Sequence, residues 1–225
     1  MGTYTAGKKW GSVFIGGKRI GSMYKDGKCI YSAGYGLITN NAYATLSIPA
    51  PDPVPVKSEI VFDIRTSDES NVIFANGGNV GCYYVYRSPS GNLKFRLPGI
   101  PNNLTPETIP MAINTRQTVR LVFDNAIQTC YAWVDDQQWE GNYPDMFNQT
   151  GVISIPHNNI SSRASYTFYN IRLYSDDVLY CDLWPVPQGS TTYSSTPATS
   201  NCMWDKVTQQ YFINTGSGDF GIANG

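Results

Sequence analysis

At 225 residues, with 41% hydrophobic and 15% charged side chains and a net charge of -1, the chain has room for one large domain and a small appendage, and it lacks the basic excess of a nucleic-acid binder. No apolar run reaches the length of a membrane span and the N-terminus carries no apolar signal segment, so the expectation is synthesis in a cytoplasm without Sec export or membrane insertion. Sixteen tyrosines, 21 glycines and 14 prolines suit an all-β protein with many turns.

The chain opens with three tandem decapeptides, MGTYTAGKKW, GSVFIGGKRI and GSMYKDGKCI. Gly7, Gly17 and Gly27 align, as do Lys8, Lys18 and Lys28. Ala6-Gly7, Gly16-Gly17 and Asp26-Gly27 supply two-residue turns, whose favoured forms need positive φ. Residues 1–32 therefore read as a module of tandem β-hairpins with strands of about four residues, too short to stand alone in water. Tyr4, Trp10, Phe14, Ile20, Tyr24 and Ile30 must be covered by the main domain, another copy or a partner, and are the candidate assembly interface.

Residues 33–41 read as a linker, and the prolines of 49–56 force an extended or edge segment. KSEIVFDIRT at 57–66 alternates cleanly, with Ile60, Phe62 and Ile64 on one face, and is the strongest strand. Further strands are expected at 71–75, 81–86, 92–97, 118–124, 129–135, 152–155, 165–174, 178–183, 201–204 and 210–213, with a hairpin about Asn125-Ala126. Residues 136–150 read as a loop with a helical turn. About a dozen closely spaced strands and no amphipathic helix make a β-sandwich. The five cysteines are odd in number and lack metal-ligand spacing; Cys82, Cys130 and Cys181 lie in apolar runs and are expected as free buried thiols.

Two segments are more specific. SYTFYNIRLYSDDVLYCDLWPV (165–186) and NCMWDKVTQQYFINTGSGDF (201–220) resemble the closing strands of concanavalin A-like or laminin G-like jelly rolls in tailed-phage and gut-bacterial surface proteins. Trp204, Asp205, Lys206, Tyr211, Phe212, Asn214, Gly216, Gly218 and Phe220 carry the match. IGSMYKDGKCIY (20–31) is similar to a short segment near the ends of phage tail and fibre proteins. The resemblance implies an all-β chain, with a concanavalin A-like jelly-roll sandwich at 33–225 preceded by the hairpin module. It also implies a non-enzymatic structural virion protein of a tailed bacteriophage, in the tail, a fibre or a capsid decoration. Its partners would be other virion proteins or copies of itself, with a trimer by analogy to fibres, and its location the virion. The alternative is a lectin-like glycan-binding module for host-surface recognition.

Enzymes of this fold class use paired carboxylates in an E-x-D-x-E run, one to protonate the leaving oxygen and one to stabilise or attack the sugar. This chain has no such run, and Asp135-Asp136 on a strand would face opposite ways. The single histidine, His157, sits in a Pro/Asn loop, and NGGNVG (76–81) is not followed by the helix a phosphate loop needs. Relatives of the fold hold Ca²⁺ with loop carboxylates, and Asp135, Asp136, Asn142 and Asp145 are the nearest set, but no EF-type spacing joins them. No metal site and no cofactor are expected. Sugars stack on aromatic faces beside amides and carboxylates, and 135–149 concentrates Asp136, Gln138, Trp139, Asn142 and Tyr143, the candidate glycan contacts. The competing reading packs Trp139 under its own segment. A second candidate is YYVYR at 83–87, where Tyr83 and Tyr84 cannot share a face.

Overall fold

The computed structural model describes residues 13–15, 18–20, 22–25, 28–32, 35–39, 46–49, 51, 53–66, 71–76, 84–96, 109–142, 152–155, 166–216 and 218–224. Every regular element among them is a β-strand. In chain order these are β1 (Val13–Ile15), β2 (Lys18–Ile20), β3 (Ser22–Lys25), β4 (Lys28–Ser32), β5 (Tyr35–Ile38), β6 (Leu46–Pro49), β7 (Lys57–Thr66), β8 (Asn71–Asn76), β9 (Tyr84–Arg87) and β10 (Leu93–Arg96). They continue as β11 (Arg116–Asp124), β12 (Thr129–Val134), β13 (Gln137–Asn142), β14 (Val152–Ile155), β15 (Tyr166–Ser175), β16 (Val178–Val186), β17 (Cys202–Asp205), β18 (Gln210–Phe212) and β19 (Gly221–Asn224).

The N-terminal repeat forms hairpins at its second and third copies. Ile15 pairs with Lys18 and Lys25 with Lys28, leaving the two-residue connections that Gly16-Gly17 and Asp26-Gly27 predict. The β3–β4 register shifts so that Tyr24 faces Cys29 and Met23 faces Tyr31, which makes Ile30 the extra residue of a bulge. Phe14, Ile20, Tyr24 and Ile30 thus fall in β1 to β4. Tyr4 and Trp10 lie outside the described residues.

Two antiparallel sheets make the sandwich. The ten-stranded sheet runs β13-β12-β11-β7-β15-β16-β17-β18, with β5 beside β15 and β19 beyond β5. The five-stranded sheet runs β10-β9-β8-β14-β6. Alternation on β7 sends Ile60, Phe62 and Ile64 inward as expected, to join Leu121, Phe123, Ile171 and Leu173 from their own sheet. Leu46, Ile48, Ile73, Val85, Leu93 and Ile155 of the other sheet complete one apolar core. The β15–β16 turn places both Asp176 (φ 48°) and Asp177 (φ 64°) in the left-handed region, the type I′ geometry that Asp tolerates. Residues 53–56 form no strand and bend at Pro53 and Val56, and Asn125 of the β11–β12 turn ties them down by donating from Nδ2 to the Pro55 carbonyl (3.2 Å) and from N to that of Val56 (2.8 Å).

Two expectations are corrected. Residues 33–41 are not a linker: they contain β5, whose Leu37 is fully buried in the core. Gly36 of β5 allows a close approach, since a Cβ there would lie 2.3 Å from Thr167 Cγ2. The glycine-rich end supplies β19 along β5, and 136–150 is not a loop at its start, because β13 extends the sheet to Asn142.

Cys130 and Cys181 are free and buried as predicted, and Cys202 joins them; Cys82 lies outside the described residues. Burial pushes the Cys130 and Cys181 thiols far above their ordinary range, with Asp205 and Asp182 adding to the effect at Cys181, and raises Cys202 to about 11. Only the thiolate alkylates readily. A short iodoacetamide pulse at mildly alkaline pH should leave these three unmodified in the native protein and modify them in guanidinium, as read by peptide mass spectrometry. Native labelling of Cys130 at the denatured rate would contradict the buried assignment.

Candidate functional site

The inner face of the ten-stranded sheet is core, so its outer face carries the chemistry. On β12, Cys130, Ala132 and Val134 point inward, and Tyr131 and Trp133 point out. Their rings stack with centroids 6.0 Å apart and planes 22° from parallel, and both stay half-exposed. Trp133 pairs with Arg120 of β11 on one side and Gln138 of β13 on the other. The Arg120 guanidinium lies 4.5 Å over the Trp133 ring, held by a two-pronged pair to Glu59 at 2.8 and 2.9 Å. Arg116 repeats the device: it grips Asp63 with two nitrogens and lies 4.0 Å over Tyr169. Exposed ion pairs add little stability. Here they fix the guanidinium planes, so the face is preorganised.

A second outer-face cluster is closed. Trp184 and Trp204 pair across β16–β17 beneath the segment 187–201, and Tyr211 meets Trp204 edge-on at 4.8 Å. Tyr193 stacks on Trp204 (6.3 Å, 5°). The Lys206 ammonium sits 3.7 Å over the Trp184 ring, where burial lowers its pKa against the pull of Asp182. Trp184 donates Nε1–H to Asp182 Oδ1 (2.8 Å), and the two tryptophans are only 7% and 8% exposed. These rings already have covers. Among the described residues no such segment lies over the Tyr131–Trp133 face.

The predicted glycan residues divide. Gln138 and Asn142 share the outer face, opposite Trp133 and Thr129, and Asp136 is exposed at the β12–β13 turn. Asp135 takes positive φ (53°) in that turn, and its carboxylate accepts from Thr118 N (2.9 Å) and Gln117 Nε2 (3.2 Å). Trp139 turns the other way: it pairs with buried Ala132, is partly buried, and packs on the core. Gly141 makes room for it, since a Cβ at 141 would fall 2.2 Å from the indole Cη2. Gly141→Ala should therefore cost about 2 kcal/mol by forcing the indole aside, measurable by urea unfolding; a neutral result would remove the packing role. Tyr143, Asp145 and His157 lie outside the described residues, as does Tyr83. In the second candidate segment, Val85 is core and Arg87 is buried with Nε donating to the Met111 carbonyl (2.7 Å).

Tyr131 and Trp133 were not among the predicted contacts. Their signal was present: residues two apart on a strand share a face, the rule that separates Tyr83 from Tyr84. Among the described residues no group of three or more His, Cys, Asp or Glu could hold a metal, and no helix is long and apolar enough to cross a membrane.

The fold is the jelly-roll sandwich of concanavalin A-like and laminin G-like domains. No family model matches the chain, and no curated protein does. Solved structures do. A candidate carbohydrate binding protein of Bacteroides ovatus superposes with TM-score 0.57 at 12% identity, over 84% of this chain and 59% of its own. Domains LG4-5 of the mouse laminin α1 chain give 0.49 at 14%, over 74% of this chain and 50% of theirs. A heptameric SAP-like pentraxin of Limulus polyphemus gives 0.49 at 13%, over 86% and 93%. The chain spans 50% of the laminin fragment and 59% of the Bacteroides protein. At such identities the likeness concerns the fold alone.

Proposed function

We propose that this chain is a non-enzymatic glycan-binding module whose sugar stacks on the Tyr131–Trp133 face. The observation that carries it is the open, preorganised aromatic pair, backed by Arg120 and flanked by Gln138. Pyranose rings present C–H faces to aromatics and hydroxyls to amides, and this face offers both. Asn142 and Asp136 extend the polar rim. The naming of the Bacteroides neighbour as carbohydrate binding supports the same reading. Of the carboxylates on this face Glu59 and Asp63 are each gripped by an arginine and Glu140 lies exposed opposite Tyr131, whereas hydrolysis needs two acids flanking the scissile bond. The test is a polysaccharide and glycan array with the full chain. Binding competed by the soluble glycan is expected, and a blank array at high protein concentration would overturn the reading.

The tandem hairpins favour a second reading, attachment of the chain to a phage particle or to its own copies, with residues 1–32 as a separate module. The repeat and the resemblance carry it, and the comparisons add no support. Mass in solution tests it, full length against a chain starting at Ala33, a cut that spares β5. An oligomer that becomes monomeric supports an assembly role; two monomers remove self-assembly.

A further inference from the structure

We infer that the outer face selects acidic glycans, with Arg172 as the fork that takes a uronate carboxylate or a sulfate ester. This rests on the glycan-binding reading and names its ligand class.

Arg172 lies in the middle of β15, opposite Val61 of β7 and Asp182 of β16. It shares the outer face with Arg116 and Arg120 but not their situation. Those two are committed to Asp63 and Glu59. Asp182, the carboxylate across from Arg172, has its Oδ1 turned to Trp184 Nε1 and Asn170 Nδ2. Among the described residues Arg172 has no hydrogen-bond or ion-pair partner, and its Nε is buried without an acceptor. A buried guanidinium N–H left unpaired costs free energy that the fold does not repay. Arg172 as a whole is only partly buried, so a ligand oxygen at the surface can draw the fork outward and satisfy it.

The placement suits a chain of sugars. From Trp133 the row runs through Arg120 and Val61 to Arg172, three strand spacings or about 14 Å. Val61 lies between Arg120 and Arg172 on the outer face and is only 5% exposed, so it is covered rather than offered to a ligand, and the two guanidinium-bearing residues flank it. One sugar stacking on Trp133 therefore leaves a neighbour within reach of Arg172. A guanidinium fork matches carboxylate or sulfate oxygens two at a time.

The experiment titrates the full-length protein and Arg172→Gln with tetragalacturonate, a heparin-derived tetrasaccharide and uncharged cellotetraose, and records thermal unfolding of both proteins. Wild type should bind one of the acidic probes at least about tenfold more tightly than cellotetraose, a preference weakened by salt and erased in Arg172→Gln. The variant should unfold at the same temperature or higher, because it loses an unsatisfied donor. Equal binding of all three probes, or an acidic preference that survives Arg172→Gln, overturns the inference and leaves the glycan reading standing. A variant that unfolds early and weakens all probes alike makes Arg172 structural and also overturns it. Silence towards these probes from a protein that binds a neutral glycan on the array sinks the inference alone; silence in both assays sinks both.

Discussion

Asp205→Ala is expected to lower the unfolding free energy by about 3 kcal/mol, and with it the melting temperature by about 9 °C. Asp205 is fully buried at the end of β17. Its Oδ1 accepts from Asp182 N (2.8 Å) and Val207 N (3.1 Å), and its Oδ2 from Thr208 N (3.3 Å) and Thr208 Oγ1 (2.7 Å). One carboxylate thus closes the β17–β18 turn and pins it to β16. Gln209, at φ 57°, completes the turn by donating its N–H to the Asp205 carbonyl (2.9 Å). Alanine removes every acceptor at once. Water can reach the exposed Val207 and Thr208, but the Asp182 amide lies between strands, so its loss dominates. Asp205→Asn keeps one acceptor oxygen and should lose about half as much. Urea unfolding of the three proteins measures this, and a loss below about 1 kcal/mol for alanine would remove the turn from the fold's main supports.

Trp133→Ala is expected to weaken glycan binding by about tenfold or more, roughly 1.4 kcal/mol, while costing about 1 kcal/mol of stability. The asymmetry follows from position. Trp133 is half-exposed on the outer face, so its removal opens no cavity in the core and releases only the Arg120 contact and the stack with Tyr131. The bound sugar would lose its main apolar surface. Trp139→Ala should behave oppositely, losing stability while binding by the remaining folded protein persists, because Trp139 packs on the core. Titration by intrinsic fluorescence beside thermal unfolding separates the two. If Trp139 controls affinity and Trp133 does not, the binding face has been assigned to the wrong side of the sheet.

Much of the sandwich was legible before any coordinates. β7 announced itself through Ile60, Phe62 and Ile64, and the hairpin at Asn125-Ala126 through its turn residues. The strands that escaped share a physical reason. β5 is four residues holding one glycine, and it exists because it lies against β15, whose Phe168 meets Leu37. β19 depends on β5 in turn. Neither has a local pattern strong enough to declare itself, since the partner that satisfies its backbone lies more than a hundred residues away in sequence. β13 was hidden by composition: as the edge of the ten-stranded sheet it is mostly exposed, so DQQWEGN reads as loop.

The binding candidates divide along the same line. Residue chemistry alone selected a stretch rich in Trp, Gln, Asn and Asp, and its neighbourhood to β12 put Gln138 and Asn142 beside the aromatic pair. Periodicity could say that Trp133 and Trp139 lie on their own strands. It could not say that one indole faces water and the other the core, because that depends on the pairing of Trp133 with Arg120 and Gln138, and of Trp139 with Ala132. A slip of one residue in that register would exchange the two. The sequence by itself determined the alternations, the turns and the repeat, all of which act over a few residues. The tertiary structure decided which side of each strand meets solvent, because only burial against the second sheet gives the two faces different free energies.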